Sequence, residues 1–250
     1  MGKLERTNKM ILKIVLFVFV TLVLTAILAV VQQKTGLSFE KISLPQLAPA
    51  VVVLILFLIY KNLPARINLH FDKVILTKSL IALAVPAFLF SIAFFAGKQL
   101  NLNVKITENL TNLLPLMIAG MSIGAFGEEI GWRSFLQPIF EKKNSVLIAS
   151  ILVGIIWGLW HVGHYKSGLL FMAGFLLFTI SVSIILAWLL RGTEYNLIIS
   201  AIFHLSINVC FLVFFHSSMT DSKFMLINGI VWLIPAVGIV ILTGKDLIRV

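Results

Sequence analysis

Cysteine and acidic residues are both scarce in this sequence. Its 250 residues include one cysteine, Cys210, which excludes a disulfide within the chain and any zinc cluster built on cysteine ligands. Only 10 residues are acidic, and hydrophobic residues make up 60% of the chain. Nearly every long segment is apolar on all sides, which leaves no pattern for a soluble core. The sequence therefore predicts a membrane protein.

The excess of positive charge indicates how the chain is oriented. The net charge of +10 could suggest a nucleic-acid partner, but the basic residues lie in segments that flank apolar runs. Such residues mark the cytoplasmic side and attract anionic lipid headgroups. We therefore expect a multi-pass protein of the cell membrane. Its predicted partner is the lipid bilayer, and no nucleic-acid partner is expected. Both termini are predicted to be cytoplasmic.

The apolar runs predict an all-α polytopic protein of about eight transmembrane helices. The first run is too long for the apolar core of a signal peptide, so we expect it to be retained. We predict one membrane domain, with helices 1–3 in residues 1–111 and a core of helices 4–8 in residues 112–250. The predicted helices cover approximately residues 10–31, 46–60, 77–96, 112–136, 145–162, 168–190, 196–215 and 225–243.

The acidic and imidazole side chains inside the spans fall in three predicted helices. Glu128 and Glu129 are adjacent at the end of an apolar, glycine-rich run. A carboxylate at the centre of a span costs roughly 2.5–3.5 kcal/mol on insertion scales and by default marks a functional site. Because polar groups at membrane depth need partners, the fourth, fifth and seventh helices should pack together. The polar residues in them are Glu128, Glu129, Arg133, His161, His204, Ser206 and Asn208.

The spacing of these residues predicts their neighbours. Glu129 and Arg133 lie four residues apart on one helix face and can pair, whereas Glu128 points to a second partner. His204 and Asn208 are also four apart and face the same neighbour. Such a set could bind and activate water, and the imidazoles of His161 and His204 could hold a divalent metal. A stripe of Gly120, Gly124 and Gly127 would admit a closely packed helix or leave room for a substrate strand.

The predicted bounds of the fourth and fifth helices conflict with a cluster that contains both Glu128 and His161. If the fourth helix ends at 136, Glu128 lies roughly 12 Å from that end, whereas His161 lies roughly 24 Å along its own helix. The residues meet only if the helix over 145–162 is tilted or kinked near Gly154 and Gly158, or if one boundary is wrong.

Each residue also has a structural interpretation. Arg133 could be a clamp for a carboxylate, and His161 could bond a carbonyl between helices. His164 is more typical of an interfacial residue than of a ligand. Tryptophans such as Trp132 and Trp157 are more often packing or interface residues than substrate contacts.

Three motifs in order resemble the CPBP family of intramembrane proteases. That family includes the CAAX prenyl endopeptidases and bacterial proteins for bacteriocin processing or immunity. Its pattern is E-E-x-x-x-R, then an aromatic residue with x-x-x-H, then H-x-x-x followed by Asn, Asp or a similar polar residue. The matching residues, across about 112–212, are Glu128, Glu129 and Arg133, then Trp157 and His161, then His204 and Asn208. Trp157 stands where phenylalanine is usual.

The resemblance implies peptide-bond hydrolysis within the membrane. It implies that Glu128 or Glu129 activates water with His161, and that Arg133 orients the carboxylates. It also implies that His204 and Asn208 stabilise an oxyanion, or that His204 helps to bind a metal. The family is discussed both as metalloproteases and as glutamate proteases, so the resemblance leaves Zn²⁺ open.

Three functions remain open from the sequence. The first is an intramembrane CAAX-type endopeptidase acting on a small membrane-associated peptide, such as a leader peptide, pheromone precursor or bacteriocin. The second is a non-catalytic immunity or scaffold protein that binds a peptide partner. The third is a proton or cation transporter that uses the same Glu and His groups, although the sequence has no duplicated halves.

Overall fold

The chain folds into a bundle of apolar helices. The computed structural model describes residues 3–38, 41–60, 63, 65–107, 114–215, 218 and 220–248. Within them the only β pairing is an isolated bridge between Asn68 and Asn196. The helices are α1 (Lys3–Thr35), α2 (Ala48–Ile59), α3 (Lys73–Gln99), α4 (Leu114–Gly131), α5 (Gln137–Glu141), α6 (Val146–Trp160), α7 (Leu169–Leu189), α8 (Leu197–Phe215) and α9 (Ser222–Ile248).

The helices make the chain an all-α, multi-pass membrane protein, as predicted. Five of them are long and apolar enough to cross a bilayer: α1, α3, α7, α8 and α9. The segments Leu44–Ile59 and Val146–Trp160 are shorter apolar helices. Leu44–Leu47 is a turn of 3₁₀-helix that leads directly into α2. The predicted boundary between residues 111 and 112 lies outside the described residues, so the division into domains stays a prediction.

The predicted end of the fourth helix at 136 is wrong. A π-helical turn over Trp132–Leu136 joins α4 to α5, and the helix continues to Glu141. Glu128 therefore lies roughly 20 Å from the end of this helix, and His161 lies roughly 22 Å from the start of α6. Because only residues 142–145 connect the two helices, both side chains reach the same level. No kink in α6 is needed to bring them together.

Glycines on α4 receive a closely packed segment of the N-terminal region. A Cβ atom built on Gly120 would lie 1.7 Å from the carbonyl oxygen of Lys41, and one on Gly131 would lie 2.3 Å from Pro49. Residues 41–49, which precede and begin α2, therefore pack directly against the glycines of α4. This matches the predicted close approach, although a 3₁₀ turn rather than a full helix occupies most of the stripe.

Helix α7 is the most deeply buried of the five long apolar helices. It packs against α6 and α9, while α8 packs against α3 and α4. Aromatic side chains fill the space between these helices; Trp232 of α9 contacts Phe90, Phe178 and Phe203 edge-on. The packing of α4 on α8 and of α6 on α7 positions the polar residues discussed next.

Candidate active site

Glu128 is fixed by three neutral hydrogen-bond donors. Its side chain is buried, with 1% of its surface exposed, on the last turn of α4. The amide of Gln46 donates to Oε1 at 2.9 Å. The indoles of Trp157 and Trp132 donate to Oε2 at 2.7 and 3.3 Å. A carboxylate held in this way presents its oxygens in one orientation.

Glu129 faces a different set of partners. Its Oε1 lies 2.8 Å from Nδ1 of His204, and its Oε2 lies 3.5 Å from Nε of Arg133. Arg133 is equally buried; its Nη2 donates to the hydroxyl of Ser183 at 3.2 Å and its guanidinium lies 4.8 Å from the centre of the Trp157 ring. The predicted pairing of Glu129 with Arg133 is present. So is the divergence of Glu128 towards other partners.

His161 directs one ring nitrogen away from the protein backbone. It follows the last residue of α6, and its Nδ1 lies 2.8 Å from the carbonyl oxygen of Trp157. Because a carbonyl oxygen only accepts, Nδ1 must carry the hydrogen, and neutral His161 then has its lone pair on Nε2. Phe175 and Trp160 contact the ring edge-on, with centroids at 5.0 and 4.9 Å. The contacts fix the orientation of an imidazole that can accept a proton at Nε2.

His204 and Asn208 lie one turn apart on α8. Besides its contact with Glu129, His204 has Nε2 at 3.8 Å from Oε1 of Glu128. The His204 ring also meets Trp157, with centroids at 5.4 Å. Hence α8 connects the two glutamates, and Asn208 extends the polar surface by one turn.

One cavity of about 410 Å³ joins these residues. Its polar side carries Glu128, His161, His204 and Asn208, whereas Glu129 and Arg133 do not line it. The remaining wall is mostly apolar and comes from α4, α7, α8 and α9. Its lining residues include Met121, Phe175, Phe178, Ile207, Phe211 and Met225. A cavity of this size and polarity is typical of a small-molecule or peptide site.

His164 also lines the cavity, contrary to the interfacial position expected for it. Its ring stacks on that of His161, with centroids at 5.7 Å and planes 11° apart. His164 lies in the 3₁₀ connection between α6 and α7. Burial, together with the nearby charges of His161 and Lys166, lowers its pKa to about 4. His164 is therefore uncharged near neutral pH.

This chain is similar to one described protease family and to several resistance proteins. Residues 110–210 match the family described as type II CAAX prenyl endopeptidase, Rce1-like. Lysostaphin resistance protein A of Staphylococcus haemolyticus is 29% identical over 219 residues, covering 85% of this chain and 60% of that protein. The proteins of the same name from Staphylococcus epidermidis and Staphylococcus aureus are 28% and 26% identical, covering 83% and 90% of this chain.

Over residues 110–210 the chain is similar to the CAAX prenyl endopeptidases of the CPBP family. It spans only 55–60% of the length of the curated relatives it matches. The family match covers the three motifs, which carry the polar cavity residues Glu128, His161, His204 and Asn208, and it leaves out α1, α2 and α3. The family is one of proteases, whereas the site residues of this chain stay predictions.

The donor set of this site does not fit a protein-held metal. In the part of the chain that the structure describes, no group of three or more His, Cys, Asp or Glu side chains is arranged to bind an ion. Catalytic zinc takes three protein ligands, and the two imidazoles predicted to bind it supply only two. We therefore derive no chemical step through a metal.

Sequence reasoning missed three residues that contact Glu128. Trp132 and Trp157 were expected to serve packing, yet each donates an indole N–H to the carboxylate. The i, i+4 spacing of Trp132 from Glu128 could have indicated the first contact. Gln46 lies 82 residues away in sequence. Its only signal is that it is polar within an otherwise apolar segment.

Proposed function

We propose that this chain is an intramembrane endopeptidase that hydrolyses peptide bonds of a small membrane-associated peptide or protein. The observation that carries the proposal is the convergence of Glu128, His161, His204 and Asn208 on one cavity inside an apolar helix bundle. The protease family to which the core belongs supports the same reaction class. The cell membrane, with both termini in the cytoplasm, is the proposed location.

We assign the general base to Glu128 rather than Glu129. Glu128 lines the cavity, whereas Glu129 is occupied by His204 and Arg133 outside it. A water between the Glu128 carboxylate and Nε2 of His161 loses a proton to one of them as its oxygen attacks the carbonyl carbon of the scissile bond. The same proton then passes to the leaving amine as the C–N bond breaks. A carboxylic acid and an amine are the products.

His204 and Asn208 are the proposed stabilisers of the developing oxyanion. The Asn208 amide donates directly, and the imidazolium form of His204 presents a second N–H at Nε2. Glu129 accepts from the opposite nitrogen of His204 and thereby fixes the direction of that N–H. Arg133 holds Glu129 and is a positioning residue. Donors aimed at an oxyanion typically contribute about 10²–10³-fold in rate.

The aromatic wall of the cavity supports an apolar peptide segment as substrate. Phe175, Phe178 and Phe211 line the same cavity as the polar residues, so apolar side chains of a bound peptide would contact them. Apolar side chains gain roughly 1.5–3 kcal/mol each on burial, which favours a substrate delivered from the membrane.

The test is cleavage of a membrane-peptide library by the purified, detergent-solubilised protein. We expect products from the wild type and a loss of at least about 10²-fold in Glu128→Gln, because the base is removed. Glu194→Gln, a change to an exposed carboxylate between α7 and α8, is the matched control and should cleave normally. Cleavage should persist in the presence of a chelator. Cleavage that survives in both Glu128→Gln and Glu129→Gln would contradict the proposal.

A non-catalytic role is the second candidate, because the curated relatives are named for resistance to lysostaphin. In this alternative the cavity binds a peptide partner without turnover. The two functions separate in a cell assay of the phenotype that the chain confers. A protease loses the phenotype in Glu128→Gln, whereas a binding protein keeps it.

A further inference from the structure

Among the described residues, Gln46 is the hydrogen-bond partner of Glu128 that lies outside the matched range 110–210. Its Nε2 lies 2.9 Å from Oε1 of Glu128, and Gln46 itself lines the cavity. A carboxylate only accepts hydrogen bonds, so the amide nitrogen rather than the oxygen of Gln46 must face it. Trp157 and Trp132 bind the other oxygen, Oε2. The orientation of Oε1 therefore depends on Gln46, apart from the longer contact to His204 at 3.8 Å.

Glycines on α4 make room for Gln46. A Cβ atom on Gly124 would lie 2.3 Å from Oε1 of Gln46, and one on Gly127 would lie 2.8 Å from the Gln46 carbonyl oxygen. The amide oxygen of Gln46 thus lies directly against the Cα face of Gly124, which turns the amide nitrogen towards Glu128. The two glycines fix the position and the rotation of this side chain.

A second glutamine holds the backbone that carries Gln46. Gln32 of α1 is fully buried, and its Nε2 donates to the carbonyl oxygen of Ile42 at 2.7 Å. Its Oε1 accepts from the backbone N–H of Leu44 at 2.8 Å. Gln32 therefore ties α1 to the segment that ends in the 3₁₀ turn, and Gln46 follows within that turn.

We propose that Gln46 is a positioning residue for the catalytic carboxylate Glu128, supplied by the N-terminal region and held in place by Gln32. The inference rests on the proposed function, because Glu128 is the group whose orientation it sets. The N-terminal helices then complete the active site instead of only surrounding it. Loss of Gln46 leaves the fold and the cavity in place but lets the Glu128 carboxylate rotate away from the attacking water.

The kinetic test replaces the amide with a side chain of equal length that cannot donate. In Gln46→Met we expect kcat to fall about 10- to 100-fold, because small misplacements of a reacting group have effects of that size. KM should stay within about threefold of the wild-type value, since the cavity walls are unchanged. Gln33→Met, the same change at an exposed position of α1, is the matched control and should leave kcat and the melting temperature unaltered.

A second variant moves Gln46 without deleting its amide. Gly124→Ala places a Cβ atom against the flexible end of the Gln46 side chain, which must swing away from Glu128. We expect its kcat to fall as in Gln46→Met. The double variant Gly124→Ala/Gln46→Met should be no slower than the worse single variant, because both changes break the same contact.

A spectroscopic readout separates this inference from the proposed function. The ¹⁵N-indole signal of Trp157 reports on the Glu128 carboxylate, since its N–H donates to Oε2. We expect Gln46→Met and Gly124→Ala to shift this signal and to leave that of Trp188 on α7 in place. An unshifted Trp157 signal in Gln46→Met, beside a shifted one in Glu128→Gln, overturns the inference even if no substrate is cleaved. A kcat within twofold of wild type in an active preparation overturns it as well.

Discussion

At the scale of single residues, Asn208 gives a test of the proposed stabilisation of the oxyanion. It lines the cavity one turn beyond His204, and it is not part of the Glu128 or Glu129 contacts described above. We expect Asn208→Ala to lower kcat by about 10²–10³-fold with a smaller effect on KM, because the donor acts chiefly in the transition state. Steady-state kinetics on one peptide substrate measures this. Ser206→Ala on the same helix is the control, since Ser206 donates to the Leu83 carbonyl of α3. Equal losses in both variants would mean that α8 itself is disturbed.

The buried ion pair of Arg133 and Glu129 gives a prediction about stability. Arg133 is 2% exposed, and its guanidinium lies beside Glu129, whose Oε2 has no hydrogen bond in the described structure. Removing one member of a buried ion pair typically costs about 3–5 kcal/mol, because the other charge stays buried without compensation. We expect Arg133→Met to lower the thermal midpoint of unfolding strongly in detergent. The double variant Arg133→Met/Glu129→Gln should recover part of this loss, and a midpoint that falls further would contradict the explanation.

Helix spacing accounts for the part of the site that was predictable. Glu129 and Arg133, four residues apart, pair as the helical repeat requires, and Glu128 diverges from them. The contact between Gln46 and Glu128 joins residues 82 positions apart and has no periodic signal. Its prediction would require knowing how residues 41–49 pack on the glycines of α4. Local spacing fixes neighbours within a helix, whereas contacts between helices depend on tertiary packing.

At the scale of elements, a π-helical turn joins the end of α4 to α5. Turns of this kind are rare and are frequently found at functional sites. Here it lies at Trp132–Leu136, beginning three residues after Glu129, and it includes Arg133. Apolar periodicity does not distinguish this turn from a helix end, which explains the incorrect boundary at 136. The continuation to Glu141 is what brings Glu128 level with His161.

The close packing of α4 on the 41–49 segment gives a prediction about stability. A Cβ atom on Gly120 would lie 1.7 Å from a backbone oxygen, which no side-chain rotation relieves. We expect Gly120→Ala to lower the free energy of unfolding by about 1–3 kcal/mol or more, measured by thermal or denaturant unfolding in detergent. Gly163→Ala is the control, because nothing lies within 4 Å of its Cβ position. Similar stabilities for the two variants would show that α4 does not approach this segment so closely.

At the scale of the whole molecule, the number of segments that cross the membrane determines on which side each terminus lies. Leu44–Leu47 and α2 together extend roughly 26 Å, slightly less than the roughly 30 Å of a hydrocarbon core. Lys34 and Lys41 flank this segment on one side, while Arg66, Lys73 and Lys78 follow it on the other. The larger basic cluster, at positions 66, 73 and 78, favours a cytoplasmic location for the end of α2. The segment Leu44–Ile59 must then cross the membrane.

We therefore expect reporter fusions to place both ends of the chain in the cytoplasm. Fluorescent-protein fusions at either terminus should fluoresce, and an alkaline phosphatase fused after Gly36 should be active outside. Moving basic residues from positions 66, 73 and 78 to the 34–41 loop should weaken this orientation, because short basic loops resist translocation. If the two termini report opposite sides, an odd number of segments crosses, and one of the short segments Leu44–Ile59 and Val146–Trp160 does not span the bilayer. If that segment is Leu44–Ile59, Gln46 still contacts Glu128, but from a segment that enters and leaves the membrane on the same side.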